Sequence, residues 1–441
     1  MTPELMVLLL FSLLLITILV AGYPIGFALC GVSLICGLIG WGPQVINLFA
    51  QRAYGMMITY TYIAIPLFIF MGCMLEKSGV AEVAFDAMYQ FFGPLRGGLG
   101  VATIIICVMF AASSGIVGAA VTAMGLTALP SMQKRGYNKS LSTGLVCSGG
   151  TLGILIPPSV MLILYAPMAK VSVVDMFAGA IVPGLLLGAA FIIYTLVRCW
   201  VDPKAGPAIP KEERTHFTFT EGIVMFAKCV LPFFFLILSV LGVILLGICA
   251  PTEAAAFGAV GSIILTRAYG RLSWTSLKST LLETFEINAM IFMITLGATM
   301  FTAVFFGVKG DQVVLNLLLA TGVGKWGTLV LTLLVVIVLG MFVDWLGILF
   351  ILVPVCVPVF NALGFDPLWS AILICVALQT SFITPPFAYA LFYIKGIAPP
   401  EITMPDIYKG VLPFLAIQIV VVIACIVFPE IITWLPSVMH N

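Results

Sequence analysis

Apolar runs long enough to cross a bilayer recur from residues 5–22 to 410–434, and they constrain this chain more than any single motif does. A hydrocarbon core about 30 Å thick takes roughly 20 apolar residues per helix, and the chain can supply about ten such spans. Only 8% of the residues are charged and 62% are hydrophobic, against roughly 25% and 45–50% in soluble domains. Lipid is therefore the main solvent. A net charge of +1 makes no case for nucleic acid. Met1 to Leu5 holds no basic residue, and no small-residue cleavage pattern follows, so 5–22 is expected to be a retained span rather than a removed signal. The eleven cysteines are scattered without metal-ligand spacing, and they read as buried helix-packing residues.

The longest polar stretch away from the termini holds Asp202, Lys204, Lys211, Glu212, Glu213, Arg214 and His216 with three prolines. It reads as a cytoplasmic linker over 201–226 between two halves, 1–200 and 227–441. A shift of 228 places Pro130 on Pro358, Gly136 on Gly364 and Pro157-Pro158 on Pro385-Pro386. A shift of 227 places Pro24 on Pro251 and Gly31 on Gly258. Such internal symmetry is common in transporter folds.

Each half has two apolar helices, a third long one (58–75 and 283–307) and two segments that do not behave as simple spans. The first, 99–133 and 327–361, is interrupted by Ser113-Ser114-Gly115 and by Asp344-Trp345, which suits a re-entrant hairpin. The second, 140–167 and 368–394, is expected to unwind at Gly149-Gly150-Thr151-Leu152-Gly153 and at Gln379-Thr380-Ser381. The fold class is thus an all-α polytopic membrane protein of two repeats, each with about five spans and one re-entrant hairpin. With the N-terminus periplasmic, fifteen basic residues fall on the cytoplasmic side and four outside, which obeys the positive-inside rule. Five full spans per half then make the repeats inverted and bring both hairpin tips near the midplane.

Unwound backbone at membrane depth is tolerated only when buried in protein or lining a cavity. Proline frees carbonyls that suit a small hard cation, while half-helix N-termini turn positive partial charge toward an anionic substrate. One candidate ion site combines Ser113, Ser114 and Gly115 with Gly149, Gly150 and Thr151. These small residues equally suit close helix packing. The other combines Asp344 with Gln379, Thr380 and Ser381. Asp344 is a lone acid in an apolar run, costing about 2.5–3.5 kcal/mol at a helix centre, and it reads either as an N-cap or as an ion ligand or gate. Pro157, Pro158, Ser159, Thr384, Pro385, Pro386 and Tyr389, with Tyr393, are candidate substrate contacts, although their hydroxyls could instead bond neighbouring helices. Glu253 reads as a first-turn acid favoured by the helix dipole, with a proton site as the alternative.

The run Gly149-Gly150-Thr151-Leu152-Gly153-Ile154-Leu155-Ile156-Pro157-Pro158-Ser159, with Gly364-Phe365-Asp366-Pro367, Thr384-Pro385-Pro386 and Pro251-Thr252-Glu253-Ala254-Ala255, resembles the large membrane subunit of tripartite ATP-independent periplasmic (TRAP) transporters, the DctM-like permeases. The likeness covers essentially the whole chain. It implies an elevator-type importer of organic acids in a bacterial inner membrane, usually driven by sodium and needing no other cofactor. It also implies two partners, a small four-helix membrane subunit and a soluble periplasmic substrate-binding protein. The resemblance carries sodium to the two sets of candidate ion residues above. Ser114-Gly115-Ile116-Val117 stands where many relatives have Ser-Gly-Ser-Ser, Ala377 where Asn is usual and Ala388 where Gly is usual.

The expected function is sodium-coupled uptake of a small organic anion such as a carboxylate. The hairpins and broken helices would form a moving domain against a scaffold made by the other helices. One rival is a self-sufficient ion-coupled exporter or antiporter. Another, an intramembrane enzyme, finds little support: the two histidines, His216 and His440, lie in the linker and at the C-terminus, with no His-Glu metal motif or paired intramembrane acids.

Overall fold

A computed structural model of the chain describes residues 2–114, 117–209, 219–320, 322–385 and 388–440. The first half runs through α1 (Pro3–Leu15, prolonged by a π-turn at Ile16–Val20), α2 (Ile25–Trp41), α3 (Gln44–Met57), α4 (Ala64–Lys77), α5 (Val80–Phe92), α6 (Gly98–Ser114), α7 (Val117–Lys134), α8 (Lys139–Thr151), α9 (Val160–Ala169) and α10 (Val173–Val201). The second runs through α11 (Phe219–Leu245), α12 (Pro251–Ala268), α13 (Trp274–Gly307), α14 (Gly310–Ala320), α15 (Gly324–Gly340), α16 (Trp345–Ala362), α17 (Pro367–Ser381), α18 (Tyr389–Ile397), α19 (Met404–Val427) and α20 (Glu430–Met439). No strand occurs among the described residues. Helices α6–α7 and α15–α16 occupy the segments read as hairpins, and α8–α9 and α17–α18 those read as broken helices.

The landmarks that repeat in sequence share a conformational cause. Gly136 and Gly364 have φ of 72° and 70°, the left-handed region that ends a helix and favours glycine. Two residues later, Asn138 and Asp366 cap the next helix by accepting from the Leu141 N–H (3.1 Å) and the Trp369 N–H (2.7 Å). The same stop-and-start signal thus precedes α8 and α17.

Three details depart from the sequence reading. Unwinding is expected at Gly149–Gly153 and Gln379–Ser381; α8 stays α-helical to Thr151 and passes into a 3₁₀ turn at Leu152–Ile154, so the first break falls inside the expected run, whereas α17 stays helical to Ser381 and opens only beyond it. The glycines serve contact instead: a Cβ on Gly149 would lie 2.7 Å from Cys107 Sγ of α6, and one on Gly150 2.4 Å from Val121 Cγ2 of α7. The third helix of the second half begins at Trp274, well before the expected 283, because Ser273 caps it by accepting from the Ser276 N–H at 3.0 Å. The start of the linker is docked: Ala205, Gly206 and Gly93 carbonyls accept from the Asn138, Gly97 and Ile209 N–H groups at 3.0, 2.9 and 2.8 Å. Residues 210–218 of the linker lie outside the described residues.

Among the described residues five helical stretches are long and apolar enough to cross a membrane alone: Tyr60–Lys77, Val173–Val201, Trp274–Gly307, Trp345–Ala362 and Met404–Val427. Shorter apolar helical stretches among the described residues include Ile25–Trp41, Val160–Ala169, Gly324–Gly340 and Pro367–Ser381.

The two halves interlock reciprocally. Helix α2 packs on α13 while α4 packs on α12; α8 packs on α19 while α10 packs on α17; α7 packs on α18 while α9 packs on α16. Each contact recurs with the roles of the halves exchanged, as in an isologous interface. The α8–α19 crossing is glycine-mediated. A Cβ on Gly144 would lie 2.1 Å from the Gly410 carbonyl oxygen, and one on Gly410 2.0 Å from that of Ser140.

Candidate functional site

Four helices begin at one cavity of about 160 Å³. Val117 and Gly118 open α7, Val160 opens α9, Trp345 and Leu346 open α16 behind Asp344, and Tyr389 opens α18 with Tyr393 one turn on. Ile287, Met290 and Ile291 of α13 close the wall with Phe382. The first N–H groups of a helix lack intrahelical partners and carry positive partial charge. No Lys, Arg or His lines the cavity among the described residues, so helix N-termini are the groups of positive partial charge that border it, opposite the single acid Asp344.

Asp344 is the N-cap of α16, its Oδ2 accepting from the Leu346 N–H at 3.4 Å. It is partly buried and lines the cavity, so the side chain that caps α16 also borders that space. Tyr389 and Tyr393 lie with ring centroids 6.0 Å apart, and the Tyr393 ring covers Gly118, where a Cβ would lie 2.7 Å from Cζ. These two tyrosines are the predicted substrate contacts that reach the cavity.

Ser159 and Thr384 are turned to local work. Ser159 caps α9, accepting from the Leu162 N–H at 3.5 Å, and its hydroxyl donates to the Ile154 carbonyl; the Thr384 hydroxyl donates to the Thr380 carbonyl. Pro157 and Pro158 are joined by a cis peptide bond and buried, whereas Pro385 is partly buried. Pro386 lies outside the described residues, as does Gly115; Ser113 and Ser114 end α6, with side chains likewise outside them.

The remaining ion candidates split in two. Thr151 is fully buried, donates to the Ser148 carbonyl at 2.8 Å and accepts from Gln418 Nε2 of α19 at 3.5 Å. Around it, Ser148 Oγ and Gln418 Oε1 are buried without a partner. Gln418 escaped the sequence reading, although a glutamine in the middle of the apolar run 410–434 was a signal that could have found it. In the other half, Thr380 and Ser381 donate to the Ala377 and Leu378 carbonyls at 2.7 and 2.6 Å, while both amide atoms of Gln379 are buried without a partner. A Cβ on Gly340, at the end of α15, would lie 1.9 Å from the Ser381 Cβ, so the second hairpin and second break meet there. Glu253, in the first turn of α12, reaches back and accepts from the Ala250 N–H at 3.0 Å, which is local capping work.

Paired apolar hairpins, interrupted helices and a cavity formed where helices begin define a polytopic membrane transporter. Residues 12–431 match the model of the tripartite ATP-independent periplasmic transporter family, DctM component, and the chain belongs to that family. It is 31% identical to the C4-dicarboxylate TRAP transporter large permease protein DctM of Vibrio cholerae, over 97% of each chain. It is 32% identical to the isethionate TRAP transporter permease protein DctMQ of Oleidesulfovibrio alaskensis, over 94% of this chain and 64% of that protein. The YdaH transporter of Alcanivorax borkumensis has a similar fold, with a TM-score of 0.62 at 16% identity over 97% of this chain and 99% of that one. The protein is therefore a multi-pass membrane permease subunit and not an enzyme.

Proposed function

We propose that this chain imports a small organic anion across the bacterial inner membrane in symport with sodium. The observation that carries the proposal is the convergence of four helix N-termini on one cavity without a basic side chain. Helix ends of this kind hold carboxylate or sulfonate oxygens through backbone N–H groups. The C4-dicarboxylate and isethionate relatives have names that pair this family with both kinds of anion.

Sodium finds suitable chemistry near each break: unpartnered oxygens of Ser148 and Gln418 beside Thr151, and of Gln379 two residues before Ser381. Such neutral oxygens suit a small hard cation. Cation and anion then neutralise one another, so that the domain crosses only when both are bound. In this reading α6–α9 and α15–α18 move as one domain, with the long α4 and α13 in the scaffold. Reciprocal contacts between the halves and fifteen basic residues against four support inverted repeats and a periplasmic N-terminus. A small four-helix membrane subunit and a periplasmic binding protein would complete the assembly.

The test is uptake into proteoliposomes containing both membrane subunits, with the loaded binding protein outside and a sodium gradient imposed. Sodium-dependent accumulation is expected. Uptake that survives replacement of sodium by choline would reject the coupling.

A further inference from the structure

Beyond the cavity at the helix starts lies a larger one, of about 530 Å³, bordered by Arg52 of α3, Lys170 behind α9 and Asn361 of α16. Three helices line both spaces. Val160, Ile291 and Leu346 border the inner cavity, and Met168, Ala298 and Phe350, each further along the same helix, border the outer one. At about 1.5 Å per residue, Ile291 to Ala298 is about 10 Å along α13 and Leu346 to Phe350 about 6 Å along α16. The two cavities therefore lie in tandem along α9, α13 and α16.

Their charges are opposite. The inner cavity holds one acid, Asp344, and no base; the outer holds two bases, Arg52 and Lys170, and no acid among the described residues. Neither base forms an ion pair with a described carboxylate. By the charge count only four basic residues fall on the periplasmic side, and two of them border this one space. Of the others, Lys325 is engaged, donating to the Gly364 carbonyl at 2.9 Å and covering the Phe365 ring. Arg52 also borders a neighbouring cavity of about 400 Å³ that shares Tyr62 and Thr299 with the outer one, so Arg52 stands where the two meet.

Helices α9 and α16 start at the inner cavity and run to Ala169 and Ala362 beside the outer one. The helix ends at the outer cavity are thus carbonyl ends of negative partial charge, and an anion there is held by side chains. Lys170 closes α9 with φ of 57°, the left-handed region that favours glycine. Among the described residues Lys309 is the one other non-glycine that adopts it.

We propose that Arg52 and Lys170 form an outer receiving site that holds the oxygens of a small carboxylate or sulfonate before the anion passes to the helix N-termini of the inner cavity. The order of the two sites rests on the import reading of that inner cavity; the binding of an anion by the two cations does not. Side-chain cations attract the anion from solution, and helix N-termini hold it deeper, beside Asp344, once sodium offsets the charge.

The experiment measures equilibrium binding of radioactive succinate, a C4-dicarboxylate probe, to the purified full-length chain in phosphatidylcholine nanodiscs. Low ionic strength and the omission of sodium separate the outer site from the sodium-coupled inner one. Both residues are exposed, and glycine suits the backbone at 170, so Lys170→Gly and Arg52→Gln are expected to melt as wild type does. Each is expected to weaken binding by about tenfold or more, and added choline chloride should weaken wild-type binding by screening. Either variant decides the matter if the other does not fold. In proteoliposomes with both membrane subunits and the loaded binding protein, the same variants should raise KM more than they lower the maximal rate. No binding by wild type, or binding and KM unchanged in the folded variants, would overturn the outer site. A fall in Tm with binding intact would do the same, leaving cations that only offset helix ends. Loss of wild-type succinate binding in discs containing phosphatidylglycerol would assign the cations to a lipid headgroup and also overturn it. Succinate held through both cations by a chain that imports none would strike the import reading and leave the anion site standing.

Discussion

In the first half, α8 ends on Thr151, which receives a hydrogen bond of 3.5 Å from Gln418 in the other half. In the second, α17 carries Gln379 at the matching position, and its buried amide has no partner. Helix α10 is the counterpart of α19, and setting Pro413 on Pro183 puts Gln418 on Gly188. The amide has thus changed sides between the halves: on the crossing helix in one, on the broken helix itself in the other. Gly149 and Gly150 correspond likewise to Ala377 and Leu378. One backbone plan supports two unlike polar linings, because caps and proline breaks set the path of the chain while side chains at the tips are free to diverge. Packing differs as well. In the first half α4 rests chiefly on α6, and in the second α13 rests on α16, the counterpart of α7. The departure from symmetry therefore falls at the contacts of α4 and α13 with the segments α6–α7 and α15–α16.

Exchanging residues between the halves would break this comparison most severely. Leu378 is fully buried, and Leu378→Ala is expected to destabilise by about 2–5 kcal/mol. The converse change, Gly150→Leu, pushes a side chain into Val121, whose backbone nitrogen lies 3.1 Å from the new Cβ, at a cost of about 1–3 kcal/mol. Thermal unfolding in nanodiscs measures both. Wild-type Tm values would mean that the two breaks are interchangeable.

Asp344 sharpens the comparison next. Asp344→Ala removes the cap and should cost about 0.5–2 kcal/mol, whereas Asp344→Asn keeps an acceptor and should melt close to wild type. A fall in uptake of about tenfold or more in Asp344→Asn, at unchanged Tm, would assign the charge to transport. Unchanged uptake would reduce the residue to a cap. The smallest effect belongs to the cross-half bond: a double-mutant cycle of Thr151→Val and Gln418→Leu is expected to show coupling of about 0.5–1.5 kcal/mol. Strict additivity would dissolve the pairing.

Much of the plan was legible in one dimension because it is written in local chemistry. Apolar runs marked the helices; Gly136 with Asn138, and Gly364 with Asp366, marked where one helix stops and the next starts. Pro157-Pro158 and Pro385 marked where helices must open. The glycines before the first proline pair misled because glycine signals both bending and close approach, and only a neighbour distinguishes them: Cys107 and Val121 press on Gly149 and Gly150. Ser159 and Thr384 were sensible candidates by position. Their hydroxyls are taken by carbonyls five and four residues back, respectively.

The sequence by itself determined a helical membrane chain and the stop-and-start signals at Gly136 with Asn138 and Gly364 with Asp366, since each depends on residues within a few turns. Only the tertiary structure decided that four helix starts share one cavity, that Gln418 meets Thr151 and that Lys77 pairs with Glu283 of α13. Those meetings join residues far apart in the chain. Helical periodicity says which residues share a face, but not which face another helix will cover, and that choice is made when close packing is optimised over the whole fold.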